Sequence, residues 1–93
     1  MIEHQATIKN QQGIHCRPSA VIMKTLEGYD GTIRLHCEKG DCDQLTILGL
    51  MSLGLEFDDT ITIQVEGRDE EHVCKELTEL FETEFDFAPQ GIP

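Results

Sequence analysis

The segment TITIQVE, Thr60 to Glu66, alternates Ile61, Ile63 and Val65 with Thr60, Thr62, Gln64 and Glu66. Successive side chains of a strand point to opposite faces, so one face here is apolar and the other polar. A strand of this kind fits an antiparallel sheet with one face on the core and one in water. A parallel sheet covered on both sides needs strands that are apolar throughout. The segment therefore predicts an α+β fold whose helices share one side of the sheet.

Outward from that strand, the chain supplies its other elements in the order β-α-β-β-α-β-α. At the start, IEHQATI sets Ile2, His4, Ala6 and Ile8 against Glu3, Gln5 and Thr7, a first strand, and NQQG follows as loop. Cys16 to Glu27 carries Ala20, Met23 and Leu26 at helical spacing, with Gly28 as C-cap. Pro18 falls in the first turn of this helix, where a missing N–H costs no intrahelical bond. GTIRLHC, Gly31 to Cys37, alternates again; EKGD supplies a hairpin turn, and a return strand is expected near Cys42 to Leu45. Thr46 suits the N-cap of a short helix over ILGLMSLG, with Leu50 and Leu53 inward and Gly54 at its end. After the fourth strand, Asp69 is expected to cap a helix in which Val73, Leu77, Leu80 and Phe81 form one buried stripe. Glu70 and Glu71 suit its positive end. One domain is expected over residues 1–85, with residues 86–93 a tail outside any period.

At 93 residues and 39% apolar content, the chain has material for a single core. Seven Lys and Arg against 18 Asp and Glu give a net charge of −11. That charge argues against nucleic acid, whose phosphates demand clustered cations, and against an anionic membrane surface. No apolar run approaches the roughly 20 residues of a membrane-spanning helix, and the opening MIEHQATIKN lacks the pattern of a secretory signal. A cytoplasmic protein is expected, with Cys16, Cys37, Cys42 and Cys74 as free thiols.

Gly13 to Ala20, GIHCRPSA, carries the chemistry. If His15 begins the first helix, the N–H groups of Cys16 and Arg17 lie in its first turn, where backbone donors and the helix dipole favour an anion. Arg17 adds a forked, charged donor that matches phosphate. A positive helix end and a neighbouring guanidinium both disfavour imidazolium, leaving a neutral ring able to attack phosphorus. The same groups would hold the phosphoryl group afterwards, while the labile N–P bond keeps it transferable. The competing interpretation is a plain helix cap beside a solvated arginine, and a lone His-x-Arg-Pro does not decide between them.

GIHCRPSA resembles the active-site signature of the HPr family, the histidine-containing phosphocarriers of the bacterial phosphoenolpyruvate:sugar phosphotransferase system. LTILGLMSLG, Leu45 to Gly54, resembles that family's second signature, at the usual separation, and the likeness covers about residues 1 to 85. The resemblance implies an open-faced β-sandwich, a four-stranded antiparallel sheet with three helices on one face. It implies that His15 accepts phosphate on Nδ1 from phospho-enzyme I and passes it to enzyme IIA. Arg17 would be the active-site arginine, the amides of Cys16 and Arg17 the phosphate donors, and Pro18 the residue fixing the first turn. Ala20, Ile47, Leu48 and Met51 would form the docking patch, with Lys24 beside them. Thr46 stands where many relatives carry a serine that HPr kinase/phosphorylase modifies; a dianion there would weaken docking beside Ile47 and Leu48. Such a protein is a monomeric stoichiometric carrier rather than an enzyme in the ordinary sense, and needs no cofactor.

The chain departs from the family's usual basic surround: Lys24 remains, but Glu27 and Gly49 occupy positions where bases are common. The complementarity to an acidic partner is thereby reduced, which leaves open a regulatory module acting through His15 or Thr46 without sugar uptake. Two further constellations compete. Cys16, at a helix start beside Arg17, has the setting of a redox-sensitive thiol. His36, Cys37 and Cys42 cluster across the hairpin, but His36 and Cys37 should face opposite ways, and no paired Cys-x-x-Cys spacing is present, so no metal site is expected.

Overall fold

The computed structural model describes residues 1–85; the expectation of a separate tail at 86–93 lies outside the described residues. The elements are β1 (Ile2–Thr7), α1 (Cys16–Thr25), β2 (Thr32–Cys37), β3 (Gly40–Cys42), α2 (Ile47–Ser52), β4 (Thr60–Glu66) and α3 (Glu70–Phe81). They form one four-stranded sheet in the order β1-β4-β2-β3, with every neighbouring pair antiparallel.

The TITIQVE strand is central. Ile63 stands opposite His4 of β1 and Leu35 of β2, and Val65 opposite Ile2 and Ile33, which aligns the apolar faces of three strands. Ala6, Ile33, Leu35, Ile61, Ile63 and Val65 are buried under Ile22, Leu50, Leu53, Val73, Leu77 and Phe81 from the helices. On the other face, Gln64 Nε2 donates to Glu3 Oε1 at 2.9 Å within a polar surface. The result is an open-faced β-sandwich.

Helix α1 ends at Thr25 with Leu26, not Gly28, as its C-cap, and three further details differ from the sequence expectation. First, β3 comes earlier than Cys42 to Leu45. Gly40 pairs with Cys37, so Glu38 and Lys39 alone make the turn. Lys39 anchors that turn from a distance: its Nζ donates to Gly54 O at 2.7 Å and sits 3.1 Å from Glu56 Oε1 and 2.9 Å from Asp59 Oδ2. These three partners lie beyond the reach of local pattern reading. Second, Asp69 precedes α3 in a left-handed conformation and makes no side-chain cap; Glu70 Oε1 accepts from Gly67 N instead, at 3.1 Å. Third, Cys74 is fully buried on the α3 stripe, whereas Leu80 is only partly covered. Burial pushes the Cys74 thiol pKa up, as suits a packing residue.

Asp59 joins the turn to the loop before β4. Its Oδ2 accepts from Glu56 N at 2.7 Å, and this bond, with the Lys39 ammonium, holds its carboxyl below the ordinary 3.8. A carboxyl depressed by folding stabilises the native state above its unfolded pKa and loses that contribution as acid protonates it. In Asp59→Asn the gap in stability from the parent should therefore be widest above about pH 5 and close as pH falls through 4 and below. Denaturant titrations of both proteins at several pH values check this. A gap independent of pH would contradict it.

Candidate functional site

His15 is the N-cap of α1. Its backbone is extended, at φ −101° and ψ −159°, and its side chain makes no capping hydrogen bond. The first i→i−4 bond of the helix runs from Ser19 N to His15 O at 3.0 Å. Of the three residues between them, Pro18 has no N–H, so the amides of Cys16 and Arg17 are the donors of the first turn. Pro18 is buried and contributes shape to this turn; Arg17 is exposed and His15 partly so. The mouth of the helix thus offers the Cys16 and Arg17 amides, beside a partly exposed His15 and an exposed Arg17.

The loop before His15 is fixed by contacts that sequence inspection did not single out. Gly13 has φ +76°, and a Cβ there would lie 2.2 Å from Leu55 O. The same carbonyl accepts Ile14 N at 3.0 Å. Asn10 is fully buried; its Nδ2 donates to Gly13 O at 2.7 Å, and its main-chain carbonyl accepts Gly13 N at 2.9 Å. The Asn10 to Gly13 spacing and the positive φ were in principle legible as a turn signal. The role of Leu55, more than 40 residues away, was not.

The second helix begins as expected. Thr46 is extended, and its Oγ1 accepts Gly49 N at 3.0 Å. Gly49 is crowded: a Cβ would meet Cys42 Sγ at 2.8 Å and Thr46 Oγ1 at 3.1 Å. A side chain at position 49 would have to displace the buried Cys42.

Helices α1 and α2 touch, and both present apolar side chains to water. Ile47, Leu48 and Met51 are 44%, 74% and 39% exposed, and Val21 on α1, which the sequence reading left out of the patch, is 38% exposed. Ala20 and Lys24 are exposed on the same helix as Val21. Apolar surface of this kind on an otherwise highly charged molecule marks an interaction face. A polar hollow of about 670 Å³ lies elsewhere, lined by His36, Lys39, Asp59 and Thr62 among others, and includes neither His15 nor Arg17.

Among the described residues no group of three or more His, Cys, Asp or Glu side chains is placed to hold a metal. His36 Nδ1 pairs with Asp41 Oδ1 across the hairpin, while Cys37 Sγ and Cys42 Sγ face the carbonyls of Gly40 and Gln44 at 3.5 and 3.4 Å. Among the described residues no helix is long and apolar enough to cross a membrane.

The profile of the family described as PTS HPr component phosphorylation site matches residues 2–83. Phosphocarrier protein HPr of Mycoplasma genitalium is 36% identical over 72 residues, covering 76% of this chain and 82% of its own. Phosphocarrier protein HPr of Xylella fastidiosa is 29% identical over 85 residues, covering 91% and 96%. The crystal structure of HPr-C-His from Thermoanaerobacter tengcongensis superposes with a TM-score of 0.78 at 32% identity, covering 87% of this chain and 91% of that one. With the open-faced sandwich and the histidine at the mouth of α1, these likenesses show that the chain belongs to the HPr family of phosphocarriers of the phosphotransferase system.

Proposed function

We propose that the protein is a cytoplasmic phosphocarrier that accepts a phosphoryl group on His15 Nδ1 from phospho-enzyme I and delivers it to enzyme IIA. The observation that carries this reading is the position of His15 as an N-cap whose side chain does not cap, ahead of two first-turn amides and Arg17. In the forward step the Nδ1 lone pair attacks phosphorus, the N–P bond forms, and the bond from phosphorus to the donor breaks. The amides of Cys16 and Arg17 and the Arg17 guanidinium face the charge on the phosphoryl oxygens, and Pro18 shapes the turn that aims them. In the return step the acceptor attacks phosphorus and the imidazole leaves. Ala20, Val21, Ile47, Leu48 and Met51, with Lys24, form the surface on which the partners dock.

A reaction containing phosphoenolpyruvate, enzyme I, enzyme IIA and this protein should phosphorylate enzyme IIA only when the protein is included. Arg17→Ala should slow that transfer by about tenfold or more, the loss of one charge-assisted hydrogen bond. Equal phosphorylation of enzyme IIA without the protein would contradict the reading. The exposed Thr46 hydroxyl supports a second, regulatory reading, in which HPr kinase/phosphorylase places a phosphate beside Ile47 and Leu48. An acid-stable adduct formed from ATP at Thr46, with no acid-labile adduct at His15, would favour that reading.

A further inference from the structure

We infer that Asn10 is a positioning residue for the His15 centre, a buried amide latch that fixes the backbone from Gly13 to Arg17. The inference rests on the phosphocarrier reading for its functional consequence and on geometry for the latch itself.

Asn10 has no exposed surface, and a buried side-chain amide destabilises a fold unless its hydrogen bonds are made. Nothing about packing alone requires an amide there; an apolar residue of similar volume would fill the space without that penalty. Its side chain instead holds Gly13, Nδ2 donating to Gly13 O at 2.7 Å, beside the main-chain bond from Gly13 N to Asn10 O at 2.9 Å. Gly13 is wedged against Leu55 O, which also takes the Ile14 amide. Ile14 is buried, and the residue after it is His15, whose carbonyl accepts the first helical bond from Ser19. The backbone approaching His15 is therefore held at Gly13 and Ile14, and the backbone leaving it is held by the helix. Without the Asn10 side chain, the first of those sides keeps only main-chain bonds, from Gly13 N to Asn10 O and from Ile14 N to Leu55 O. Phosphoryl acceptance is sensitive to displacements of this kind, because the attacking nitrogen and the stabilising donors must converge on one phosphorus.

The latch makes a specific ordering of variants. Asn10→Ala removes the donor. Asn10→Asp keeps the shape but places a carboxylate oxygen against Gly13 O, and Asn10→Ser restores a shorter donor able to reach the same carbonyl. At a temperature where all four proteins are fully folded, two quantities decide the matter. Amide exchange at Gly13 and Ile14 should rise about tenfold in Asn10→Ala relative to the sheet amides of Ile61 to Val65, as expected for one lost buried hydrogen bond. The rate of phosphoryl acceptance at saturating phospho-enzyme I should fall about tenfold, with the half-saturating concentration unchanged because the docking patch is intact. Asn10→Ser should recover most of both losses and Asn10→Asp neither. Should Asn10→Ala not fold, the comparison of Asn10→Ser with Asn10→Asp carries the test. The inference is overturned if exchange at Gly13 and Ile14 tracks the sheet in every variant, or if only melting temperature changes. Failure of the parent to accept phosphate would refute the carrier reading, while the exchange data would still decide the latch.

Discussion

Gly13→Ala is expected to destabilise the protein by about 3 kcal/mol or more, among the largest effects of any single methyl group in the molecule. Two costs combine. An alanine at φ +76° is in the left-handed region, which costs roughly 1–2 kcal/mol for a residue with a Cβ. The methyl group would also lie 2.2 Å from Leu55 O and 3.1 Å from Glu56 Cα, both backbone atoms that no rotamer change can move. Relieving that overlap means separating the His15 loop from Leu55 and breaking the bond from Ile14 N to Leu55 O, worth about another 1 kcal/mol. Gly28 provides the control: its φ is +84°, but a Cβ there would meet nothing within 4 Å. Gly28→Ala should therefore show the conformational cost alone, about 1–2 kcal/mol. Denaturant midpoints for the two variants, at unchanged dependence on denaturant, measure the difference. Equal losses would show that the contact with Leu55 is not a constraint on the loop.

How much of this was legible in the sequence depends on the range of each interaction. The strands declared themselves because period-two alternation is a local signal; TITIQVE and TIRLHC are buried where the pattern places them. The Thr46 cap was equally local, a side chain bonding an amide three residues on. What escaped was set by distant partners. The hairpin turn fell on Glu38 and Lys39 while Lys39 reaches carboxylates and a carbonyl 15 to 20 residues further along. Cys74 entered the core stripe because the strand lies against it, its Sγ 3.8 Å from Ile63 O. At the candidate site, the chemistry of GIHCRPSA was readable residue by residue, but its mechanical support was not. Asn10, Gly13 and Leu55 hold the histidine loop, and only the tertiary structure brings Leu55 to it. Val21 was missed among the exposed apolar residues because helical spacing alone does not say which apolar residues of α1 face water.

The second large effect is the loss of phosphoryl acceptance when the imidazole is removed. Attack on phosphorus requires a lone pair at the helix mouth, which Arg17, a permanent cation, and the buried Pro18 and Ser19 do not supply. His15→Ala should therefore abolish transfer rather than slow it. The fold should persist, because the helix begins with the main-chain bond from Ser19 N to His15 O, which an alanine keeps.

The most direct test locates the phosphoryl group. After incubation with phosphoenolpyruvate and enzyme I, the protein should carry one acid-labile phosphate, and nitrogen and phosphorus NMR should place it on Nδ1 of His15. His15→Ala, folded as shown by its circular dichroism, should carry none. A phosphate found on any other residue, or an adduct undiminished in His15→Ala, would contradict the account.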